Sequence, residues 1–361
     1  MTHLKKMSER IEQDQAGGDP PVEQRGGRRQ VRLAVLASSC LYLLLVTGVW
    51  GTMHWAGERW WLATALLFGP RWVWAAPLAG LIPAAILWHR RSLWVLAAAM
   101  IVVVVPVMGF SVPWRQLRSA PPAQIRVRVL TCNIHNQKNG ERLRKLIEET
   151  RPDIVAIQEP TSAIEQGFEK GQWKVRQGPG LLVAVRLPYD VSFLRTLIPK
   201  DSARISDGVA STVRINTPQG PIEFISLHLA SPHAALDKVR EWDAKAAAMM
   251  QQNSSIRWQT SRSLRKYIDG LNMPTLIAGD FNLNVESPIY RECWSSLCDA
   301  FTDAGFGFGY TYRIHTTQTR IDHIMGASGW RATRCWVGPD VGSPHRPVIA
   351  DMEWSGHEGK R

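Results

Sequence analysis

The stretch from Val31 to Trp50 carries one charge, Arg32. About 20 such residues, rising 1.5 Å each as a helix, match a hydrocarbon core roughly 30 Å thick. In lipid the backbone must satisfy its own polar groups, so a stretch of this kind folds as a spanning helix. Two more apolar stretches follow, 72–88 and 92–110, joined by His89-Arg90-Arg91, a tripeptide too short for anything but a tight turn. Trp60, Trp72, Trp88, Trp94 and Trp114 cluster near the expected ends, where an indole keeps its body in lipid and its N–H in water. Three transmembrane helices over 31–110 are therefore expected, at about 31–50, 72–88 and 92–110, behind a basic tail over 1–30. The alternative is a buried helical hairpin of a soluble protein. A cleaved signal peptide fits worse, because three apolar spans follow one another and the first begins well inside the chain.

Orientation follows from the short basic flanks. Arg25, Arg28, Arg29 and Arg32 precede the first span and Arg90 and Arg91 join the second to the third, which keeps both on the cytoplasmic side and puts the C-terminal half outside a cell membrane. Arg115, Arg118, Arg126 and Arg128 argue the other way, but long domains translocate largely regardless of charge. The net charge of +12 raises the question of nucleic acid. Much of it lies in membrane flanks and scattered arginines, with no basic and aromatic alternation to define a strand-binding groove, so a lipid-facing basic surface is favoured over a nucleic-acid site. Five cysteines show no CxxC metal spacing; if the domain is outside, Cys293 and Cys298 are candidates for a disulfide.

Beyond a proline-bearing linker over 111–123, the pattern becomes that of a soluble α/β domain, over 124–355. Ile125 to Leu130 alternates with a period of two and ends at Asn133, which predicts a strand. Glu141 to Thr150 has helical spacing. Ile154 to Ile157 is a continuous apolar run, as in a strand buried on both faces, and ends at Gln158-Glu159. Further strands are expected at 181–185, 209–215 and 222–227, the last ending in His228. A helical region is expected over about 236–271, a strand over 274–278, a helix near 287–297, a strand around Ile321 and a last strand over 347–354. A glycine-rich turn, 305–309, is expected at the mouth of a site, with Tyr310 or Tyr312 near substrate.

The strand over 274–278 delivers Gly279-Asp280-Phe281-Asn282, an acid and an amide two residues apart. Successive side chains alternate along an extended backbone, so the two side chains face the same way. Alone this is also a plain turn; together with Asn133, Glu159, His228, Asp322 and His345 at other strand ends it reads as a site. Phosphoester hydrolysis needs a cation to offset charge, a group to orient water, and donors for the non-bridging oxygens. Glu159 and Asn133 are candidate metal ligands, hard oxygens suited to magnesium or manganese. Asp280 is the candidate that positions water. Asn282 and His228 are candidate donors to the phosphoryl oxygens, and Asp322 is placed to hold His345 in one tautomer and favour its protonated form. His228 by itself also reads as a core histidine. His135, His233, His315 and His323 are expected as surface or core residues, and Arg204 and Arg320 as phosphate ligands or plain ion pairs.

The order Asn133, Gln158-Glu159, His228, Gly279-Asp280-Phe281-Asn282, Arg320-Ile321-Asp322-His323 and Ser343-Pro344-His345-Arg346-Pro347 resembles the endonuclease/exonuclease/phosphatase superfamily, whose type member is deoxyribonuclease I. The resemblance spans about 124–354. It implies a four-layer sandwich of two mixed β-sheets flanked by helices, divalent-metal catalysis with Glu159 as the main ligand and Asn133 nearby, and Asp322 and His345 acting as a pair. One motif departs: the family has Ser-Asp-His where this chain has Ser343-Pro344-His345, and the missing aspartate is a metal-site ligand. One metal, held more weakly, or a replacement carboxylate from elsewhere in the chain, is the expectation. Three spans before such a domain resemble the membrane-bound bacterial group that includes teicoplanin-resistance proteins. That implies a hydrolase or phosphodiesterase acting on a lipid-linked phosphate or pyrophosphate at the outer face of the membrane. The alternatives are a membrane-tethered nuclease and a binding or sensor protein that lost turnover through Pro344.

Overall fold

The computed structural model describes residues 22–117, 121–135, 140–169, 172–186, 190–197, 208–241, 243–314, 316–327 and 329–356. The first 21 residues of the basic tail, Arg118, Arg204 and His315 lie outside the described residues. The chain divides into two compact bodies, Met1–Thr47 with Trp74–Val102, and Gly48–Val73 with Val103–Arg361.

The apolar half forms helices throughout: α1 (Val22–Gly51), α2 (Trp61–Phe68), α3 (Leu78–Trp88) and α4 (Ser92–Val102). Among the described residues, two continuous helical stretches are long and apolar enough to cross a membrane, Gly27–Arg59 and Arg71–Trp88, with 33 and 18 residues. The third expected span is shorter, Ser92–Val107. Pro106 lacks an N–H for the ladder, the last turn widens to a π-helix, and Gly109, at φ +79°, lies just beyond it. In the first body, α3 and α4 are joined by the expected tight turn, in which His89 Nδ1 lies 2.8 Å from Ser92 Oγ. Its apolar side chains stand outward: Leu87 is 71 % and Trp94 82 % exposed.

The second body holds two mixed sheets. The first is built from β1 (Ile125–Asn133), β2 (Ile154–Gln158), β3 (Trp173–Gly178), β4 (Leu181–Arg186), β13 (Trp330–Val337) and β14 (Val348–Trp354), in the order β13-β14-β1-β2-β4-β3. The second is built from β5 (Asp190–Leu197), β6 (Gly208–Thr217), β7 (Gly220–Leu229), β8 (Thr275–Asp280), β9 (Cys298–Asp299) and β12 (Asp322–Ala327), in the order β5-β6-β7-β8-β12-β9. A hairpin, β10 (Tyr312–Ile314) with β11 (Thr317–Thr319), stands apart. The period of two in β1 buries Val127 and Val129 between the sheets, against Leu276, Ala278 and Ile324. Opposite faces of the same strands meet helices. Leu130, Val155 and Ile157 pack on α5 (Glu141–Thr150) and α6 (Ser162–Glu169), and Ile225, Leu227 and Ile277 pack on α8 (Ala246–Asp269) and α9 (Pro288–Cys293). Each central strand is therefore apolar on both faces, which is why β2 reads as an unbroken run.

Several expectations are corrected. The helical region over 236–271 is two helices, α7 (His233–Arg240) and α8, and the helix near 287–297 is the shorter α9. The linker over 111–123 is pinned to the domain: Ser111 pairs with Gly307, Arg115 Nη1 lies 2.5 Å from Asp303 Oδ1, and Gln116 Nε2 donates to Thr333 O at 2.6 Å. Of the two tyrosines expected near substrate, Tyr312 lies beside His345, whereas the glycine-rich turn and Tyr310 pack on residues 108–110. Phe306 and Phe308 meet Phe110 edge-on and Tyr310 Oη donates to Met108 O. No disulfide joins Cys293 and Cys298, because Cys298 faces the core between the sheets while Cys293 faces the core under α8.

Candidate active site

Three neighbouring strands of the second sheet place polar residues in one row. His228 on β7 is opposite Asp280 on β8 in parallel register, and Asp280 is opposite Asp322 on β12 in antiparallel register. The first sheet supplies Asn133, the last residue of β1, paired with Gln158, after which Glu159 follows. His345 comes from the loop before β14. The two sheets thus converge on Asp280, which is 1 % exposed. All seven residues expected at the site are brought together.

The contacts are direct. Asn133 Nδ2 donates to Asp280 Oδ2 at 3.1 Å and to Glu159 Oε1 at 3.2 Å, while its Oδ1 accepts from the backbone N–H of His135 at 2.8 Å. His345 Nδ1 lies 2.9 Å from Asp322 Oδ2, and its Nε2 is 3.8 Å from Asp280 Oδ2. His228 Nε2 is 3.6 Å from Asp280 Oδ2 and 3.9 Å from Glu159 Oε1.

Burial works against the charge on His345, but the Asp322 and Asp280 carboxylates outweigh it and push the imidazole up to about 9. Asp280 is raised above the ordinary carboxylate range, by burial first and then by the Asp322 charge, with His345 and His228 opposing the shift. The result is an excess of buried negative charge around one point.

Asn282 reaches the site by a different route from the one expected. β8 ends at Asp280, and Asn282 turns into the left-handed region at φ 48°. Its backbone N–H donates to Asp280 Oδ1 at 2.9 Å, an Asx turn, and its amide donates to Leu229 O at 2.9 Å. Alternation along a strand is therefore not what sets the pair. Glu159 and His135 also have positive φ, 52° and 48°, so among the described residues three of the four non-glycine ones in this region lie at the site. Gly279, at φ +150°, is required for another reason: a Cβ there would sit 1.9 Å from Leu227 O.

Three neighbours were not singled out. Ser343 Oγ donates to Asn133 O at 2.7 Å and accepts from His345 N at 3.1 Å, tying the first sheet to the histidine loop. His135, expected as a surface or core residue, is exposed but brings Nδ1 within 3.6 Å of Glu159 Oε2. His233 packs its ring 4.6 Å from Tyr312, whose ring lies 4.7 Å from His345. Ser343 and His135 are set by loops and His233 by the first turn of α7, and no periodicity marks these positions. His323 is a core residue, bonded to Asp299 and Leu283 O, and Arg320 is buried against Phe301.

The donor set fits a hard divalent cation. Carboxylates of Glu159, Asp280 and Asp322 converge, Glu159 is partly exposed, and ligand atoms of Asp280, Asp322 and His345 lie within 4.8 Å of one another. Pro344 offers no side-chain oxygen; its carbonyl accepts from Arg313 N at 2.9 Å. Asp340, the next acid upstream, is turned to Arg346 at 3.7 Å.

The profile of the endonuclease/exonuclease/phosphatase family matches residues 130–345, from within β1 to His345. The chain belongs to that family. Members of the endonuclease/exonuclease/phosphatase family are metal-dependent hydrolases of phosphoester bonds. Similar solved structures include the family protein from Bacteroides vulgatus, 18 % identical, covering 64 % of this chain and 100 % of that one, with a TM-score of 0.48. TDP2 of D. rerio complexed with a single-strand DNA product is 14 % identical, with 63 % and 99 % covered and a TM-score of 0.49. The human Nocturnin catalytic domain with bound sulfate is 14 % identical, with 67 % and 100 % covered and a TM-score of 0.48. No curated protein matches the chain.

Proposed function

We propose that the protein is a membrane-anchored, divalent-metal-dependent phosphohydrolase acting on a lipid-linked phosphate or pyrophosphate at the outer face of the membrane. The observation that carries the hydrolase reading is the arrangement around Asp280. A buried carboxylate is flanked by the Asp322–His345 pair, His228, Asn133 and Glu159.

Glu159, oriented by Asn133, would hold the cation, magnesium or manganese by its oxygen donors. When bound, it supplies Lewis-acid charge to a phosphoryl oxygen. Asp280 orients the attacking water, for which it is poised by its two buried neighbours. His345, kept protonated by Asp322, presents Nε2 to the developing negative charge. His228 donates from the side of Glu159, and the Asn282 amide, anchored at Leu229 O, adds a second donor.

The membrane reading is supported by the two helices long and apolar enough to span, and by outward-standing Leu87 and Trp94. At about 1.5 Å per residue the 33-residue stretch Gly27–Arg59 exceeds the hydrocarbon thickness. Its last residues therefore lie beyond the bilayer, and from Gly48 they belong to the same body as the sheets. A catalytic domain joined directly to such a helix would meet amphiphilic substrates, which concentrate at membranes.

The test uses the full chain in detergent, with magnesium, against a polyprenyl pyrophosphate, a phospholipid and plasmid DNA. Release of phosphate from a lipid substrate supports the proposal; cutting of plasmid alone overturns the substrate class in favour of a tethered nuclease. Inertness toward all three overturns the hydrolase reading.

A further inference from the structure

The connector over 52–70, which leads out of α1 and includes α2, packs against the loop that carries Asn282 and Asn284. Glu58 and Arg257 side chains are both fully buried, and Arg257 Nη1 lies 3.5 Å from Glu58 Oε1. The same nitrogen donates to Asn282 O at 3.0 Å. Arg257 Nε donates to Asn253 Oδ1 at 3.0 Å, and its guanidinium lies over Phe68 of α2, 5.5 Å from the ring centroid. The connector also meets the next part of the loop: Asn284 Nδ2 donates to Leu67 O at 3.2 Å, and a Cβ on Gly57 would collide with Pro288.

We infer that Glu58 is a positioning residue for the catalytic loop, acting through Arg257 to fix the backbone of Asn282. The inference rests on the proposed role of Asn282. An arginine stays charged in a protein, and burying it without a partner costs several kcal/mol, so it keeps its place only where a carboxylate balances it. Here the balancing carboxylate comes from a segment about 200 residues away in sequence, outside the family-matched span 130–345. Asn282 needs such support, because at φ 48° it holds a conformation that a non-glycine residue keeps only where its surroundings impose it. Its amide is a donor in the site, and a displacement of about 1 Å in such a group costs on the order of 100-fold in rate. The connector is thus part of the hydrolase, and a fragment beginning at residue 124 lacks it.

Full-length Glu58→Gln and Glu58→Asp variants in detergent test this, with turnover measured on a chromogenic phosphodiester and hydrogen exchange measured over residues 281–288. Expected for Glu58→Gln is a fall in kcat on the order of 10- to 100-fold with KM changed less than about threefold. Faster exchange across 281–288 should accompany it, and Glu58→Asp should restore most of both. Unchanged kcat and unchanged exchange in a folded Glu58→Gln protein overturn the inference, as does a variant whose only defect is a lower Tm. If Glu58→Gln does not fold, Glu58→Asp carries the test: wild-type exchange over 281–288 supports the inference, and exchange raised evenly over the whole domain overturns it. A wild type inert on every phosphoester defeats the proposed function, and the exchange data still decide the role of Glu58.

Discussion

Replacing Asp322 with asparagine removes one charge and leaves the shape of the site. Asp322 is 1 % exposed and lies 2.9 Å from His345 Nδ1. It is the largest influence holding His345 up, at about 9 against an ordinary 6.5, once burial has pulled the other way. A rise of about 2.5 units corresponds to roughly 3 kcal/mol of stabilisation. Because the folded value is raised, that stabilisation is fully present below about pH 6.5 and is lost as the pH climbs toward 9. Metal-free wild type should therefore lose roughly 3 kcal/mol of unfolding free energy between those limits, and Asp322→Asn should show a much flatter dependence. In the variant, Asp280, 3.8 Å from Nε2, and the weaker influence of Glu159 remain, so His345 should titrate lower. Two-dimensional NMR of the imidazole nitrogens in EDTA-treated protein reads this directly. If His345 titrates within a few tenths of a unit in both proteins, the Asp322 charge does not set its state and the assignment of the pair fails. Turnover should fall on the order of 1,000-fold or more, as when the orienting carboxylate of a histidine is neutralised elsewhere.

Gly279→Ala puts a Cβ 1.9 Å from Leu227 O between two parallel strands at φ +150°, so a loss on the order of 4 kcal/mol or more is expected in thermal or denaturant unfolding, and a Tm within a few degrees of wild type would contradict the close approach. Pro344→Asp restores the acid that the family motif carries and should lower the magnesium needed for half-maximal activity; half-saturation of the wild type already in the low micromolar range would count against weakened binding. Burial opposes ionisation of Asp299, but the His323 hydrogen bond and the Arg320 charge outweigh it and hold the carboxyl well below its usual range. Such a lowered group stabilises above about pH 4 and loses that contribution as the pH falls, so Asp299→Asn should flatten the acid limb of the stability curve.

Much of the fold was legible because its central strands are apolar on one or both faces. Glu141 to Thr150 is a helix with the expected bounds, and β1, β2, β7 and β8 end at Asn133, Gln158, Leu229 and Asp280, within two residues of the expected tips. β3 and β5 were not legible: they are sheet edges, where partial exposure blurs the alternation. The site was legible as residue types at strand ends. Its finish was not, since Asn282, Glu159 and His135 take left-handed backbone and Ser343 bridges two loops. The Glu58–Arg257 pair left no local mark, because burial of a charge is visible only once distant segments meet. The third span failed as a full-length helix at Pro106, a residue the hydropathy pattern absorbs without trace.

In the proposed function, Asp280 anchors the metal-dependent hydrolysis. The most direct measurement is turnover of the full chain and of Asp280→Ala on the phosphate substrate that wild type hydrolyses best, each with magnesium and with EDTA. Wild type should turn over only with the metal, and Asp280→Ala should be at least 1,000-fold slower while remaining folded. Comparable turnover by the variant, or undiminished wild-type turnover in EDTA, would contradict the account.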